Sequence, residues 1–249
     1  MFVKSTALVF WHRSDSLLPM TASRTARERV RAELTREITD IARRQLATEG
    51  AGGLSLRAVA REMGMVSSAI YRYFPSRDDL LTALIIDGYN ALGEAVERAE
   101  AAQPREGFRR RWLAVCHAVR DWAAANPHEY ALIYGSPVPG YHAPEDTIEA
   151  RSRDVIVMGR IVSDAWRAGA VIARDADLPP ELESKAANLS ALMPEVPEAI
   201  VWRALSAWTA LYGWVSFEVF GQFNNVFEDR RPAYEHAMRL MADTMGLAQ

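Results

Sequence analysis

The stretch Ser55-Leu-Arg-Ala-Val-Ala-Arg-Glu-Met-Gly-Met-Val-Ser-Ser-Ala-Ile-Tyr-Arg-Tyr-Phe-Pro-Ser76 decides the fold. Ser55 is a helix-capping residue type, because its hydroxyl accepts an amide hydrogen that the first turn leaves unpaired. Leu56, Val59, Ala60 and Met63 recur at three- and four-residue steps, an apolar face for a short helix over 56–63. Gly64 supplies a turn, since glycine adopts left-handed backbone at little cost. A second short helix starts at Ser67 or Ser68, carries Ile70, Tyr71 and Phe74, and is broken by Pro75-Ser76. Two short helices joined by a glycine turn form a helix-turn-helix, whose second helix lies in the major groove of DNA. Leu56, Val59, Ile70 and Phe74 read as its core. Ser67, Ser68 and Ala69 stand at the N-terminal end of the second helix, where base edges are reached. Tyr71, Arg72 and Tyr73 follow with reach to phosphates and bases.

Working outward, Val30, Leu34, Ile38, Ile41 and Leu46 form one helical face upstream. Gly-Ala-Gly-Gly at 50–53 should stop that helix near Gly50. Downstream, Ser76 with Asp79 three residues on is a capping start for a helix running through Leu80, Leu81, Leu84 and Ile85 towards Val96.

These residues resemble a known family. Leu54 to Leu84, with the preceding Ala51-Gly52-Gly53, Arg57-x-x-Ala60, Gly64, Tyr71-x-Tyr73-Phe74 and Arg77-Asp78-Asp79-Leu80-Leu81, is similar to the DNA-binding signature of tetracycline-repressor (TetR) regulators. The resemblance implies DNA contacts from Ser55 and Arg57, a groove lining of Ser67, Ser68 and Ala69, base or backbone contacts from Tyr71, Arg72 and Tyr73, and a phosphate held by Arg77. An arm of Arg24, Arg27 and Arg29 is placed to reach the adjacent minor groove. Read from the residues alone, Tyr71 serves equally as a core tyrosine, Arg57 as a solvated residue, and Arg77 as a local cap or a partner of Asp78. Further on, Trp208-Thr209-Ala210-Leu211-Tyr212-Gly213 resembles the Trp-x-x-x-His-Gly run of a family subset, with Tyr212 in the histidine's place. The resemblance implies a dimer interface and an inducer pocket in these C-terminal helices.

Charge is divided in a way that suits this reading. The whole chain of 249 residues carries −3. Residues 21–80 hold 11 Arg against 8 Asp and Glu, a net of +3, and 1–20 add +1, so 81–249 carry −7. Basic residues attract the phosphate backbone, and an acidic remainder limits indiscriminate binding. Hydrophobic residues make up 49%, which excludes a disordered tail and supports a sizeable core. No apolar run reaches the roughly 18 residues of a membrane helix. A single cysteine, Cys116, excludes an intrachain disulfide and points to a reducing cytoplasm. Leu8-Val9-Phe10-Trp11 is too short for a secretory signal.

The rest of the chain reads as helices over 107–125, 128–134, 145–173, 181–192, 197–223 and 232–245, with a Pro/Gly loop at 136–144 and a break at 174–180. The 197–223 helix is apolar on most faces, so both sides should be buried. The expected fold is all-α, with a flexible extension at 1–22, a three-helix DNA-binding unit at 23–82, and a larger helical bundle at 83–249 for ligand binding and dimerisation. Trp112, Cys116, Tyr130, Tyr134, Trp166, Trp202 and Trp208 are candidate lining for an apolar pocket, with Asn126, His117 and Arg120 as polar anchors. Each aromatic taken singly reads as core. No cofactor is implied, and none of the five histidines stands at metal-ligand spacing. No catalytic constellation appears.

The expected function is a dimeric repressor that binds palindromic operator DNA through its reading helices and is released by a small apolar or aromatic effector. The 145–173 and 197–223 helices are the expected pairing surface. The alternative from another class is a helical ligand-binding or scaffold protein that does not bind DNA.

Overall fold

The computed structural model describes residues 26–172, 178–183, 185 and 187–248. The proposed extension at 1–22, Arg24 and most of the 174–180 break lie outside them. The described residues form ten α-helices and no strand: α1 Ala26–Gly53, α2 Leu56–Glu62, α3 Ser67–Ile70, α4 Arg77–Ala101, α5 Phe108–Ala125, α6 Pro127–Tyr134, α7 Thr147–Arg167, α8 Ala187–Leu192, α9 Glu198–Val219 and α10 Arg230–Met245. The protein is all-α, with an N-terminal helix-turn-helix unit followed by a larger helical body.

The N-terminal unit is built on the apolar residues read from the sequence. Ile38, Ile41 and Ala42 of α1, Leu56, Val59 and Ala60 of α2, Ile70 of α3, and Leu80, Leu81, Leu84 and Ile85 of α4 are buried together. Val30 departs from that pattern: it is 53% exposed, because the first turns of α1 run beyond the core. The helical path of α1 is interrupted at Gly50 (φ 67°, ψ 176°), a conformation a side chain resists.

The second core gathers α4, α5, α7, α9 and α10 around Leu92, Val96, Trp112, Val157, Ile161, Leu211 and Met238. Helix α4 therefore belongs to both cores, and the division at residue 82 falls inside it. A buried ionic cluster ties three of these helices together. Arg111 on α5 is fully buried; its Nε donates to Glu100 of α4 at 2.6 Å and its Nη2 to Asp164 of α7 at 2.8 Å. Arg105 reaches the same two carboxylates.

Three sequence expectations are corrected. The 145–173 helix ends at Arg167, because Gly169 turns the chain at φ 65° and Ile172 then donates to the Gly246 carbonyl at 2.8 Å. The 181–192 stretch is not one helix. Pro179 and Pro180 shape a short 3-10 turn over Pro180–Leu182, and α8 starts only at Ala187. Helix α9 is not covered on both sides: Ile200, Val201, Ala204, Ala207, Leu211 and Val215 are buried, while Ser206, Thr209, Gly213 and Phe217 face outward.

Candidate nucleic-acid interface

Helix α2 starts where Ser55 caps it, its Oγ accepting from the Ala58 amide at 3.4 Å. Gly64 has φ 67° and leaves the turn open, so the chain reverses without a clash. Helix α3 is one turn long. Its spiral continues through Tyr73 N–H to Ile70 carbonyl (2.9 Å) and Phe74 N–H to Ile70 carbonyl (3.1 Å), so Phe74 lands in the core.

This turn has two distinct sides. Ile70 is fully buried, whereas Ser67, Ser68, Tyr71 and Arg72 are exposed. Ala69 and Tyr73 are half-buried. Tyr71, at 42% exposure, is a surface residue and not a core tyrosine. Arg57 and Arg61 are exposed on α2, beside the turn. Among the described residues, Arg57, Arg61 and Arg72 form no ion pair, whereas Arg43 pairs with Asp40 and Asp87, and Arg44 with Glu62. The face that carries α3 therefore keeps its cations available.

Two arginines hold this face in place from outside it. Arg31 of α1 donates to the Arg72 carbonyl at 3.2 Å, and its guanidinium lies 5.4 Å from the Tyr73 ring centroid. Sequence reasoning missed this link, which crosses 41 residues and carries no local signal. Arg77, expected on a phosphate, instead donates from Nη2 to the Ala51 carbonyl at 2.6 Å and from Nε to the Leu54 carbonyl at 3.2 Å. Asp78 is 3.5 Å from its Nη1. Arg77 is a clamp on the α1–α2 loop. Arg27 and Arg29 also differ from expectation, since they sit on α1 and not on an extended arm.

The expected pocket residues do not converge. Trp112, Cys116 and Tyr130 are buried core: the Trp112 Nε1 donates to the Met238 carbonyl at 2.8 Å, and the Tyr130 hydroxyl bonds Ser216 at 2.9 Å and the Tyr212 carbonyl at 3.2 Å. Burial pushes the Cys116 thiol up and the Tyr130 hydroxyl up to about 12, so neither ionises near neutrality. Trp166, Trp202 and Trp208 pack half-buried against the core. Of the seven, Tyr134 alone lines the cleft between the N-terminal unit and the helical body. The suggested anchors are engaged or enclosed elsewhere. Arg120 makes a two-pronged pair with Glu218 (2.6 and 2.8 Å), Asn126 bonds the Trp122 carbonyl within its own turn, and His117 stacks near Tyr234. Missed altogether was Asp154, buried on α7 and accepting from Tyr212 and Trp208.

No group of three or more metal-ligating side chains occurs among the described residues, and no helix there is long and apolar enough to cross a membrane.

Residues 38–84 match the family described as bacterial regulatory proteins of the tetR family, and residues 112–241 match the tetracyclin repressor-like C-terminal domain. An HTH-type transcriptional regulator of Mycobacterium bovis is 38% identical over 224 residues, covering 88% of this chain and 93% of that protein. The crystal structure of a regulatory protein designated SCO4313 superposes with a TM-score of 0.72 at 34% identity, covering 88% of this chain and all of the other. A tetR-family regulatory protein from Rhodococcus RHA1, at 17% identity, shares the fold with a TM-score of 0.58 over 86% of this chain and 98% of its own. The chain belongs to the TetR family of DNA-binding transcriptional regulators.

Proposed function

We propose that this regulator is a cytoplasmic repressor, that it binds a near-palindromic operator as a homodimer, and that a small apolar or aromatic effector releases it. The carrying observation is the two-sided α3 turn: Ser67, Ser68, Tyr71 and Arg72 exposed over a buried Ile70, with unpaired Arg57 and Arg61 alongside. Small hydroxyl residues at the leading end let backbone approach the base edges, with Ala69 beside them, while Tyr71, Arg72 and Tyr73 reach outward. Ser55 caps α2 close to the phosphates, and Arg57 and Arg61 neutralise them. Arg77 acts on DNA only through the loop it clamps.

Pairing falls to α9. Its outward stripe of Ser206, Thr209, Gly213 and Phe217 lets a second helix approach closely. Helix α7, expected to share this surface, is covered by α4 and α5, so α10 with its exposed Leu240 takes its place. A twofold axis through α9 sets two reading turns about one DNA turn apart, roughly 34 Å.

The test is titration of the purified protein with its own upstream intergenic duplex over a series of salt concentrations, with an unrelated duplex as control. Selective binding that falls steeply with salt supports the reading. Binding equal to the control at every salt concentration, followed by failure to enrich any sequence from random duplexes, would sink it.

A further inference from the structure

The N-terminal unit and the helical body meet at a cleft of about 510 Å³. One wall is the end of α1 and the loop after it, with Leu46, Gly50 and Ala51. The other is α6 and its following loop, including Leu132, Tyr134 and Val138, and the floor is Phe220 at the end of α9. A Cβ placed on Gly50 would meet nothing within 4 Å, so the α1 wall stands clear. The volume lies within the range of small-molecule sites.

The chemistry of the lining is selective. No Asp, Glu, Lys or Arg is among the residues described around it. Desolvating a charged ligand there without a partner is costly. Tyr134 and Phe220 offer ring faces. Polar handles are few: His128, Ser136 and Ser216, the last already bonded to Tyr130. The occupant that fits is an uncharged, ring-bearing organic molecule with one hydrogen-bonding group.

The cleft also touches the DNA-reading machinery directly. Ala51, in its wall, gives its carbonyl to Arg77, and Leu54, the other carbonyl Arg77 holds, precedes the Ser55 cap of α2. An occupant that prefers a different separation of the walls shifts this loop and with it the α2–α3 pair. Release then follows from differential affinity for the two arrangements. We infer that this junction cleft, and not the aromatic interior of the helical body, is the site of an uncharged aromatic effector; the inference rests on the effector-released repressor proposed above.

N-Phenyl-1-naphthylamine, an uncharged ring compound that fluoresces in apolar surroundings, is the probe. Titrated into the full chain, it should bind saturably at one site per chain. Val138→Trp and Ser136→Trp, which fill the cleft, should raise the half-saturation concentration at least about tenfold, while Trp202→Phe in the interior leaves it unchanged. Circular dichroism checks the fold, and Ser136 is exposed, so its variant carries the test if Val138→Trp does not fold. Titrations that coincide in wild type and both cleft variants, or a wild type with no saturable binding, overturn the site. Anisotropy of a labelled upstream duplex, followed in the same samples, keeps the two readings apart. Dye binding lost in the cleft variants supports the site even if no duplex is bound, which would sink the repressor. Duplex binding with dye uptake indifferent to the cleft variants sinks the site and leaves the repressor standing.

Discussion

The Tyr212 hydroxyl donates to Asp154 Oδ2 at 2.6 Å, joining α9 to α7 inside the helical body. Trp208 Nε1 donates to the same oxygen at 3.1 Å. No ion pair accompanies them among the described residues. Burial raises the Asp154 pKa from its ordinary 3.8, against the downward pull of these two donors. An acid whose pKa is raised by folding binds protons more readily folded than unfolded. Its contribution to stability therefore falls as pH climbs from 3.8 to the folded-state pKa, and stays low above it. Asp154→Asn keeps an acceptor for both donors and removes the titration. The difference in Tm, variant minus wild type, should grow in the variant's favour between about pH 4 and pH 7. A difference that does not change with pH would refute the assignment.

The Arg111 cluster makes the opposite kind of case, a buried charge that is fully paired. Arg111→Met would leave Glu100, 2% exposed, with only the half-exposed Arg105, and would strip one partner from Asp164. Breaking one member of a buried ionic group costs about 3–5 kcal/mol. Chemical denaturation should show that loss, and Glu100→Gln added to Arg111→Met should recover part of it. Equal stability of Arg111→Met and wild type would mean that the cluster is a bystander.

Arg72 and Arg77 separate a phosphate contact from a structural clamp. Each phosphate contact adds about 0.9 to the slope of log K against log salt. Arg72→Ala should lower that slope by about 1 while leaving the fold intact. Arg77→Ala should weaken operator binding with an unchanged slope, and should lower Tm as the Ala51 and Leu54 carbonyls lose their donor. Measured slopes that fall equally in both variants would return Arg77 to the DNA.

Thr209 sits in the middle of the outward stripe on α9. Thr209→Arg places two like charges across the proposed twofold axis without touching either core. Sedimentation equilibrium should report one chain where wild type reports two, with the far-ultraviolet circular dichroism unchanged. A variant that stays dimeric would move the interface elsewhere.

Local rules accounted for much of the N-terminal unit. Ser55, Gly64 and Ser76 act within three or four residues of themselves, so their caps and turn were legible, as was the interruption at Gly50. What failed was non-local. Nothing near Arg77 in the chain says that its guanidinium meets Ala51 and Leu54, more than 20 residues back. Nothing near Tyr212 points to Asp154, 58 residues away. The aromatic set misled for a related reason: helical spacing reports that Trp112 and Tyr130 are buried, and burial in packed side chains looks the same from sequence as burial around a cavity. Helix ends at 167 and 187 were misplaced because long-range pairing with Gly246 and the Pro179–Pro180 geometry overrode apolar periodicity.

Helix α4 seats Leu80, Leu81, Leu84 and Ile85 in one core and Leu92 and Val96 in the other. At 1.5 Å per residue its 25 residues measure roughly 37 Å. A tilt of about 5° pivoted at one end carries the other end about 3 Å, comparable with the reach of a hydrogen bond to a base edge. Binding at the far end is thus geared to the groove as through a crowbar, and a flexible spacer inserted near Gly88 would disconnect the two while leaving each able to work alone.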